Sequence, residues 1–411
     1  MTNVFDRDTF ENPLMMRVGE WQVNYLSFTK PANAHKTPVI LLGGAFHTFS
    51  SLAYEAENLS KDCPVYLVDL PGLGGNKQSA NDLAIEDYAV ILKNFLDNLG
   101  IDRASFVALS YSSAIGYTFA SLFPERTLKL ILGGATTKLR DSVKHLLEES
   151  LHLLAVNELE RFASGIVLNM MNFSQRHNIS SSGQVHQNLY KNILNFTDSD
   201  ISRYKANFAR LIDQDGLPRA PQCPVLIISG EFDNFTTPYE NFQVARNCPQ
   251  STYVVVKGTD HLASYEKTDV VTRLYRRYFS DQPLNRMKDV EVLENEEFPR
   301  DRIRMEPRYL LNDVGYLDSG NGVFVPVNIV DINNFGCRLY TSFKDHNSLK
   351  RTQKFILHIP GEDMQMNMII FKQADNGHYR GIFKHQTFER TKVFEGFIDK
   401  IALTCNSAYA A

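Results

Sequence analysis

The stretch Ser105-Phe-Val-Ala-Leu-Ser-Tyr-Ser-Ser-Ala114 decides the fold. Its first residues, Ser105–Leu109, predict a buried strand, and the residues after the turn predict a helix. Ser110 stands at that turn, with the small residues Ala108 and Ser112 two positions away on either side. A serine exposed between small residues at a strand-to-helix turn is typical of a nucleophile elbow, usually written G-x-S-x-G. Neither flanking residue is glycine here, so this pattern is weak by itself.

Other short apolar runs alternate with helical patterns between about Trp21 and Phe279. Continuous apolar runs are typical of strands covered on both faces, and their alternation with helices predicts a mostly parallel α/β sheet. The runs that we interpret as strands are Val39–Leu42, Val65–Val68, Leu128–Leu132, Val225–Ser229 and Tyr253–Val256. Over about residues 138–219 amphipathic stretches replace the strand pattern, which predicts a helical cap.

Two further positions supply the chemistry that a serine at such a turn needs. Asp233 ends the stretch Ser229-Gly-Glu-Phe-Asp233, and His261 ends Lys257-Gly-Thr-Asp-His261, each just after a predicted strand. Open α/β sheets place their chemistry at the carboxyl ends of strands. A serine hydroxyl needs a base such as His261, and Asp233 would orient the imidazole and stabilise its charge. Asp260 is a rival acid, but it adjoins the histidine and has no strand-end context.

The reaction would also need backbone N–H groups that face the developing oxyanion. We expect one from Tyr111, the residue after the serine. The other should come from the loop Gly43-Gly-Ala-Phe46, where Ala45 is the first choice and Phe46 the second. Glycines let this loop pass close to the reacting carbonyl.

Across roughly Met16–Ser280 the sequence resembles the α/β-hydrolase superfamily, in which serine, aspartate and histidine follow one another in this order. Within it the sequence is similar to the rhamnosyltransferase-associated 3-hydroxyacyl-ACP transferases, the family that supplies the lipid half of rhamnolipids. The similar stretches are Gly44-Ala45, Asp69-Leu-Pro-Gly72, Asp213-Gln214 and Gly230–Thr237. This resemblance implies transfer of a 3-hydroxyacyl group from acyl carrier protein to a second 3-hydroxyacyl group. The residues alone indicate acyl-transfer machinery, which a carboxylesterase or thioesterase would share.

A second domain is predicted after this hydrolase domain of residues 1–285. Residues 286–298 are polar and acid-rich, as linkers often are. Over residues 299–411 alternating patterns predict a small β-barrel, closed by a helix at about Thr387–Ile401. The strands that we expect in it are Gly322–Val330, Gly336–Thr341, Phe355–Ile359 and Met366–Phe371.

Two short motifs of this domain resemble those of PilZ domains, the bacterial receptors for cyclic di-GMP. Arg300 and Arg304 are spaced as R-x-x-x-R, and Asp331–Gly336 matches [D/N]-x-S-x-x-G with Asn333 in place of the serine. Guanidinium groups suit phosphates and stack on guanine, and the Asn333 amide can still donate and accept. The resemblance implies cyclic di-GMP as a regulatory ligand, held by Arg300, Arg304, Asp331, Asn333 and Gly336. The alternative is a barrel that binds no ligand.

Composition excludes several classes of protein. The 411 residues are 43% hydrophobic and carry a net charge of −4, which is typical of a globular protein and not of a partner for nucleic-acid polymers. Five widely spaced cysteines without a C-x-x-C pair argue against a disulfide framework or a zinc site. Met1–Glu11 lacks the apolar core of a signal peptide, and the apolar runs are too short to span a bilayer.

These observations predict a cytoplasmic bacterial enzyme that needs no metal ion or cofactor for catalysis. Its substrates would be an acyl thioester, with 3-hydroxyacyl carrier protein as the implied donor, and its regulator would be cyclic di-GMP. The alternatives are a carboxylesterase or thioesterase under the same control, and a non-catalytic effector of cyclic di-GMP. The acyl length, the sign of regulation and the oligomeric state do not follow from the sequence.

Overall fold

The central strands are runs of Val, Ile and Leu that become buried when both faces of a sheet are covered. The computed structural model describes residues 4–180, 182–293, 298–303, 306–342, 349, 353–362, 364–373 and 377–404. Within these residues the sheet contains β1 (Leu14–Val18), β2 (Trp21–Phe28), β3 (Val39–Leu42), β4 (Val65–Asp69), β5 (Ala104–Leu109), β6 (Thr127–Gly133), β7 (Val225–Gly230), β8 (Ser251–Val256) and β9 (Val290–Leu293). Their spatial order is β1-β2-β4-β3-β5-β6-β7-β8-β9, parallel from β4 to β8. The predicted, mostly parallel α/β sheet is confirmed.

Helices pack on both faces of this sheet. The helices before the barrel are α1 (Ala53–Leu59), α2 (Ile85–Asn98), α3 (Tyr111–Leu122), α4 (Asp141–Ala155), α5 (Leu159–Met170), α6 (Ser182–Leu194), α7 (Asp198–Asp213), α8 (Pro238–Asn247), α9 (Ala263–Glu266) and α10 (Thr268–Phe279). Ile40 of β3 packs in one core with α2, α3 and α8, whereas its neighbour Leu41 packs in the other core with α1 and α10. Among the described residues, no helix is both long enough and apolar enough to cross a membrane.

Three strands of the sheet are absent from the sequence prediction. β1 and β2 form an antiparallel hairpin at one edge, and β9 pairs antiparallel with β8 at the other. β9 lies within residues 286–298, so part of the predicted linker belongs to the sheet. Val290 is buried and Val292 packs beside the same core, and this alternation is too short to stand out among the acidic residues around it.

The protein forms two compact units, which divide the predicted cap. One unit comprises the described residues up to Leu139 together with Met170–Pro299. The other comprises Arg140–Asn169 together with the described residues from Arg300 onward. Helices α4 and α5 therefore belong to the unit that contains the barrel, and α6 and α7 belong to the unit that contains the sheet.

The barrel is a closed antiparallel sheet, as the alternating patterns predict. Its strands are β10 (Tyr309–Asp318), β11 (Phe324–Asn333), β12 (Gly336–Tyr340), β13 (Lys354–Ile359), β14 (Met364–Gln373) and β15 (His378–Phe383), followed by α11 (Phe388–Thr404). They are arranged as β10-β11-β12-β15-β14-β13, and pairing of β10 with β13 closes the barrel. Phe355, Leu357 and Ile359 of β13 point into the core, while the residues between them are more exposed.

Within the barrel unit, His385 is held between α4 and α5. Its Nε2 lies 2.7 Å from Ser150 Oγ, and its Nδ1 accepts a hydrogen bond of 2.8 Å from Asn169 Nδ2. Burial lowers the pKa of His385 to about 4, so the ring is neutral at pH 7. The ring passes directly over Gly165 of α5, where a side chain would overlap it.

Gly165→Ala should therefore destabilise the protein by about 1–3 kcal/mol, because the added methyl group must displace the buried His385 ring. Gly396→Ala is the matched control, since Gly396 lies in α11 and its added Cβ meets no atom within 4 Å. At Gly396 alanine should leave stability unchanged or raise it by up to about 1 kcal/mol through helix propensity. Denaturant unfolding of both variants tests this, and equal stability of the two would contradict the packing described.

Candidate active site

Ser110 lies at a strained turn between β5 and α3. Its φ of 49° and ψ of −117° are unusual for a residue with a side chain. The backbone N–H of Ser110 donates to the Gly133 carbonyl at 2.6 Å, and Ser112 Oγ donates to the Gly43 carbonyl at 2.6 Å. Ala108 and Ser112 are both almost completely buried, so larger side chains would not fit on either side. The turn has the geometry expected of a nucleophile elbow.

A continuous series of hydrogen bonds joins the three predicted side chains. Ser110 Oγ lies 2.8 Å from His261 Nε2, and His261 Nδ1 lies 2.9 Å from Asp233 Oδ2. Asp233 follows β7 and His261 follows β8, so the parallel sheet places all three at the carboxyl ends of its strands. The arrangement can move a proton from the serine hydroxyl to an imidazole that a carboxylate orients.

Neighbouring donors hold Asp233 in place. Its Oδ1 accepts the backbone N–H groups of Phe235 and Thr236, both at 2.9 Å, and its Oδ2 accepts the Thr236 hydroxyl at 2.9 Å. Thr236 Oγ1 also lies 3.1 Å from His261 Nδ1. These hydrogen bonds fix the orientation of the Asp233 carboxylate. Sequence analysis missed this role of Thr236, although the Asp-x-x-Thr spacing after a strand favours such a turn.

The charge of Asp233 decides the protonation of His261. Burial alone would lower the pKa of the His261 imidazole, but the Asp233 carboxylate, with a smaller contribution from Asp260, raises that pKa above its ordinary value of 6.5. The structure thus stabilises the imidazolium that forms when His261 accepts a proton.

The activity should consequently fall as the pH is lowered through the pKa of His261, because only the neutral ring can accept the proton of Ser110. With that pKa raised, kcat/KM for an acyl ester is expected to reach half its maximum at a pH above 6.5. A profile of kcat/KM against pH, measured over the pH range in which the protein stays folded, gives this half-maximal value. A half-maximal value well below pH 6.5 would contradict the predicted stabilisation.

Asp260, the rival acid, takes part in a different cluster. Its side chain accepts the Leu262 N–H at 3.0 Å, and its own N–H donates to Glu266 Oε2 at 2.8 Å. Burial raises the pKa values of both the Asp260 and the Glu266 carboxyl groups above their ordinary range. In the described part of the protein, Asp260 and Glu266 together with His186 form a buried group that could hold a metal ion, with one ligand atom from each within 4.8 Å of the others. Asp233, and not Asp260, contacts the His261 ring.

The loop after β3 closely approaches the serine. A Cβ added at Gly44 would lie 2.9 Å from Ser110 Cβ and 3.1 Å from the Leu109 carbonyl oxygen. The Gly44 N–H donates to His47 Nδ1 at 3.1 Å, and burial lowers the pKa of His47 to about 3, so this ring is a neutral acceptor. Sequence analysis missed His47, whose only signal is that it directly follows the Gly43–Phe46 loop assigned to the oxyanion hole. Tyr111 is the first residue of α3, where a backbone N–H has no partner within the helix.

Gly44→Ala is expected to lower kcat by about 10- to 100-fold, because the loop must move away from Ser110 and a displaced oxyanion donor is costly. Gly183→Ala on α6 is the control, since a Cβ there meets no atom within 4 Å. Steady-state kinetics with a chromogenic ester compares the two. Full activity of the Gly44 variant would show that the loop does not serve the reacting centre.

The five residues predicted to bind cyclic di-GMP have different environments. Arg304 lies outside the described residues, and Arg300 is exposed near the start of the barrel unit. Asp331 forms ion pairs with Arg308 at 2.6 Å and Arg338 at 2.9 Å.

Asn333 and Gly336 have structural partners. Asn333 Oδ1 accepts the backbone N–H groups of Phe335 and Gly336, both at 3.1 Å. The Cα of Gly336 packs against the Gly381 carbonyl, where a side chain would overlap the oxygen. These contacts stabilise the turn between β11 and β12.

Comparison with curated proteins finds two relatives whose names refer to 3-hydroxyacyl compounds. The protein is 23% identical over 261 residues to the (R)-3-hydroxydecanoyl-ACP:CoA transacylase of Ectopseudomonas oleovorans. The aligned residues cover 60% of this chain and 83% of the transacylase. It is 27% identical over 103 residues to the poly(3-hydroxyalkanoate) depolymerase of the same organism, which covers 25% of this chain. That match spans only 36% of the depolymerase.

Solved structures and a family model agree on the fold. MGS-M2, an α/β hydrolase enzyme from a Medee basin deep-sea metagenome library, superposes with a TM-score of 0.59 at 18% identity, covering 67% of this chain and 100% of that one. The family model for the α/β hydrolase fold matches residues 37–268, which is more than half of the sequence and includes Ser110, Asp233 and His261. The chain belongs to the α/β-hydrolase fold family.

Proposed function

We propose that this protein is a serine-dependent acyltransferase, with Ser110 as nucleophile, His261 as general base and acid, and Asp233 as the orienting carboxylate. The observation that carries the proposal is the pair of hydrogen bonds, 2.8 Å and 2.9 Å, that links these three side chains at the strand ends. The proposed donor is a 3-hydroxyacyl thioester, such as 3-hydroxyacyl carrier protein. The likeness to a 3-hydroxydecanoyl-ACP:CoA transacylase supports that substrate class.

In the first half-reaction, Ser110 Oγ attacks the thioester carbonyl carbon while its proton passes to His261 Nε2. The negative charge that develops on the carbonyl oxygen is held by the N–H groups of Ala45 and Tyr111. The carbon–sulfur bond then breaks, His261 returns the proton to the sulfur, and the thiol leaves. The product is an ester between the acyl group and Ser110.

In the second half-reaction, the hydroxyl of a second 3-hydroxyacyl group gives its proton to His261 and attacks the acyl-enzyme. Its oxygen forms the new ester bond, the bond between the acyl carbon and Ser110 Oγ breaks, and Oγ recovers a proton from His261. Water in place of that hydroxyl would release a free 3-hydroxy acid, which is the thioesterase alternative. The two reactions use the same residues and differ only in the acceptor.

Mass spectrometry of products tests the proposal directly. Purified protein is incubated with 3-hydroxyacyl carrier protein, and Ser110→Ala serves as the control. A 3-hydroxyacyl dimer that is absent with the variant is the expected result. Free 3-hydroxy acid alone would identify a thioesterase, and no turnover, with or without cyclic di-GMP, would overturn the proposed substrate class.

Control of this activity by cyclic di-GMP remains a prediction. Its support is the motif resemblance together with a closed six-stranded barrel in the predicted position. Because Asn333 and Gly336 stabilise a turn, the exposed Arg300 is the sharper test among the described residues. Calorimetric titration of the full-length protein with cyclic di-GMP should give binding that weakens in Arg300→Ala. No heat with the unmodified protein would contradict the predicted ligand.

A further inference from the structure

Helix α7 places a polar face against the loops that follow the sheet strands. The side chains on this face lie at positions i, i+1, i+4 and i+7 of the helix and are Arg203, Tyr204, Asn207 and Arg210. Tyr204, Asn207 and Arg210 are at least nine-tenths buried. Arg203 donates to the Gly74 carbonyl, and Asn207 donates to the Gly72 carbonyl at 3.1 Å. A buried helix face is ordinarily apolar, so these buried polar side chains indicate a specific role for this face of α7.

One of these contacts reaches the loop after β3. The Tyr204 hydroxyl donates to the Ala45 carbonyl at 2.8 Å, and its ring stacks on Phe46 with centroids 4.9 Å apart. On the other side of Ala45, the Gly44 carbonyl accepts the His47 N–H at 3.0 Å. Both peptide planes that flank Ala45 are thus held by a hydrogen bond. Because N–H and C=O point in opposite directions across a trans peptide, these bonds also fix the N–H directions of Ala45 and Phe46.

The other contact reaches the residue after the serine. Arg210 Nη1 donates to the Tyr111 hydroxyl at 2.6 Å and to Asn207 Oδ1 at 2.9 Å. The Arg210 guanidinium also donates to the carbonyls of Ala80 and Leu83. These four acceptors are all neutral, and the guanidinium also lies over the Tyr88 ring, 5.0 Å from its centroid. A buried cation of this kind favours negative charge that develops nearby.

We infer that Tyr204 and Arg210 are positioning residues through which α7 holds the oxyanion hole in its active geometry. Tyr204 acts on the Ala45 loop and Arg210 acts on Tyr111, so a single helix controls both proposed donors. This inference rests on the proposed function of Ser110. Contacts that align donors to the transition state should change kcat more than KM.

The experiment compares Tyr204→Phe and Arg210→Met with Lys205→Met in the full-length protein. Tyr204→Phe removes one hydroxyl and keeps the stacked ring, so it should fold. Arg210→Lys keeps the charge without the planar fork, which gives a second test at that position. Lys205→Met is the matched control, because it removes an exposed cation from the same helix and leaves the contacts of Tyr204 and Arg210 in place.

Two measurements report on the oxyanion hole: kcat and KM for a p-nitrophenyl acyl ester, and the inhibition constant of an alkyl boronic acid. The boronic acid forms a tetrahedral adduct with an active serine and so resembles the transition state. We expect Tyr204→Phe to lower kcat about tenfold and Arg210→Met to lower it about 30-fold, each with KM changed less than about twofold. The inhibition constant should rise by the same factor as kcat falls, and Arg210→Lys should recover only part of the loss.

Three outcomes would overturn the inference. If both variants keep kcat and boronate affinity within about twofold of Lys205→Met, α7 does not position the donors. If only KM rises, α7 forms a wall of the substrate pocket instead. If the unmodified protein neither turns over the ester nor is labelled at Ser110 by a fluorophosphonate, the proposed function fails and the inference fails with it. Labelling of Ser110 with unchanged α7 variants overturns the inference alone.

Discussion

Replacing Ser110 with alanine is expected to lower kcat for a 3-hydroxyacyl thioester by about 10⁴-fold or more. Without Oγ no acyl-enzyme can form, and the proton that His261 is placed to accept is absent. The variant should fold normally, because alanine removes one hydroxyl and leaves the turn between β5 and α3 intact. Product formation in the steady state and thermal unfolding together measure the two properties.

Ser113→Ala is the matched control for this change. Ser113 is a buried serine of the same helix, three residues beyond the turn, and the same atom is removed. Its activity should stay within about threefold of the unmodified protein, because the hydroxyl that faces His261 belongs to Ser110. Equal activity of Ser110→Ala and Ser113→Ala would mean that the hydrolase domain does not act through this serine. No turnover by the unmodified protein would instead favour a non-catalytic role in signalling.

Replacing Asp233 with asparagine is expected to lower kcat by about 10⁴-fold, since the amide would no longer favour the His261 tautomer that accepts the serine proton. The carboxylate also stabilises the imidazolium, because it raises the pKa of His261. A pH–rate profile of the residual activity accompanies the kinetic comparison, and its acid limb should move to lower pH when that charge is lost.

Asp260→Asn gives the control for charge and burial at a neighbouring position. Asp260 is completely buried and lies next to His261 in the sequence, but its side chain contacts the Leu262 N–H and not the ring. Its loss should cost less than about tenfold in kcat. A larger loss in Asp260→Asn than in Asp233→Asn would make Asp260 the orienting acid and would contradict the assignment.

Much of this site follows from the sequence because its signals are local. A parallel strand is a short run of apolar residues, and the polar residue that ends it lies at the same edge of the sheet as the others. Ser110, Asp233 and His261 each follow such a run closely. Their convergence therefore follows once the strands are recognised.

Other features depend on contacts between distant segments and leave little trace in the sequence. Tyr204 and Arg210 have the composition of a solvent-exposed helix face, and only the folded protein shows that they are buried against Ala45 and Tyr111. The division of the predicted cap between two units has the same cause. An apolar face on α4 or α5 predicts that the helix is packed, but it does not identify the unit to which the helix belongs. β9 is short and surrounded by acids, so its pairing with β8 gives no clear pattern.

The central claim is that Ser110 carries the acyl group, and mass spectrometry of the trapped acyl-enzyme tests it most directly. The protein is mixed with a 3-hydroxyacyl thioester, quenched in acid within the first turnover and digested for peptide mapping. We predict a mass increase equal to one 3-hydroxyacyl group, located on the peptide that contains Ser110 and absent from Ser110→Ala. Turnover with no acylated peptide, or with the acyl group on another residue, would contradict the account.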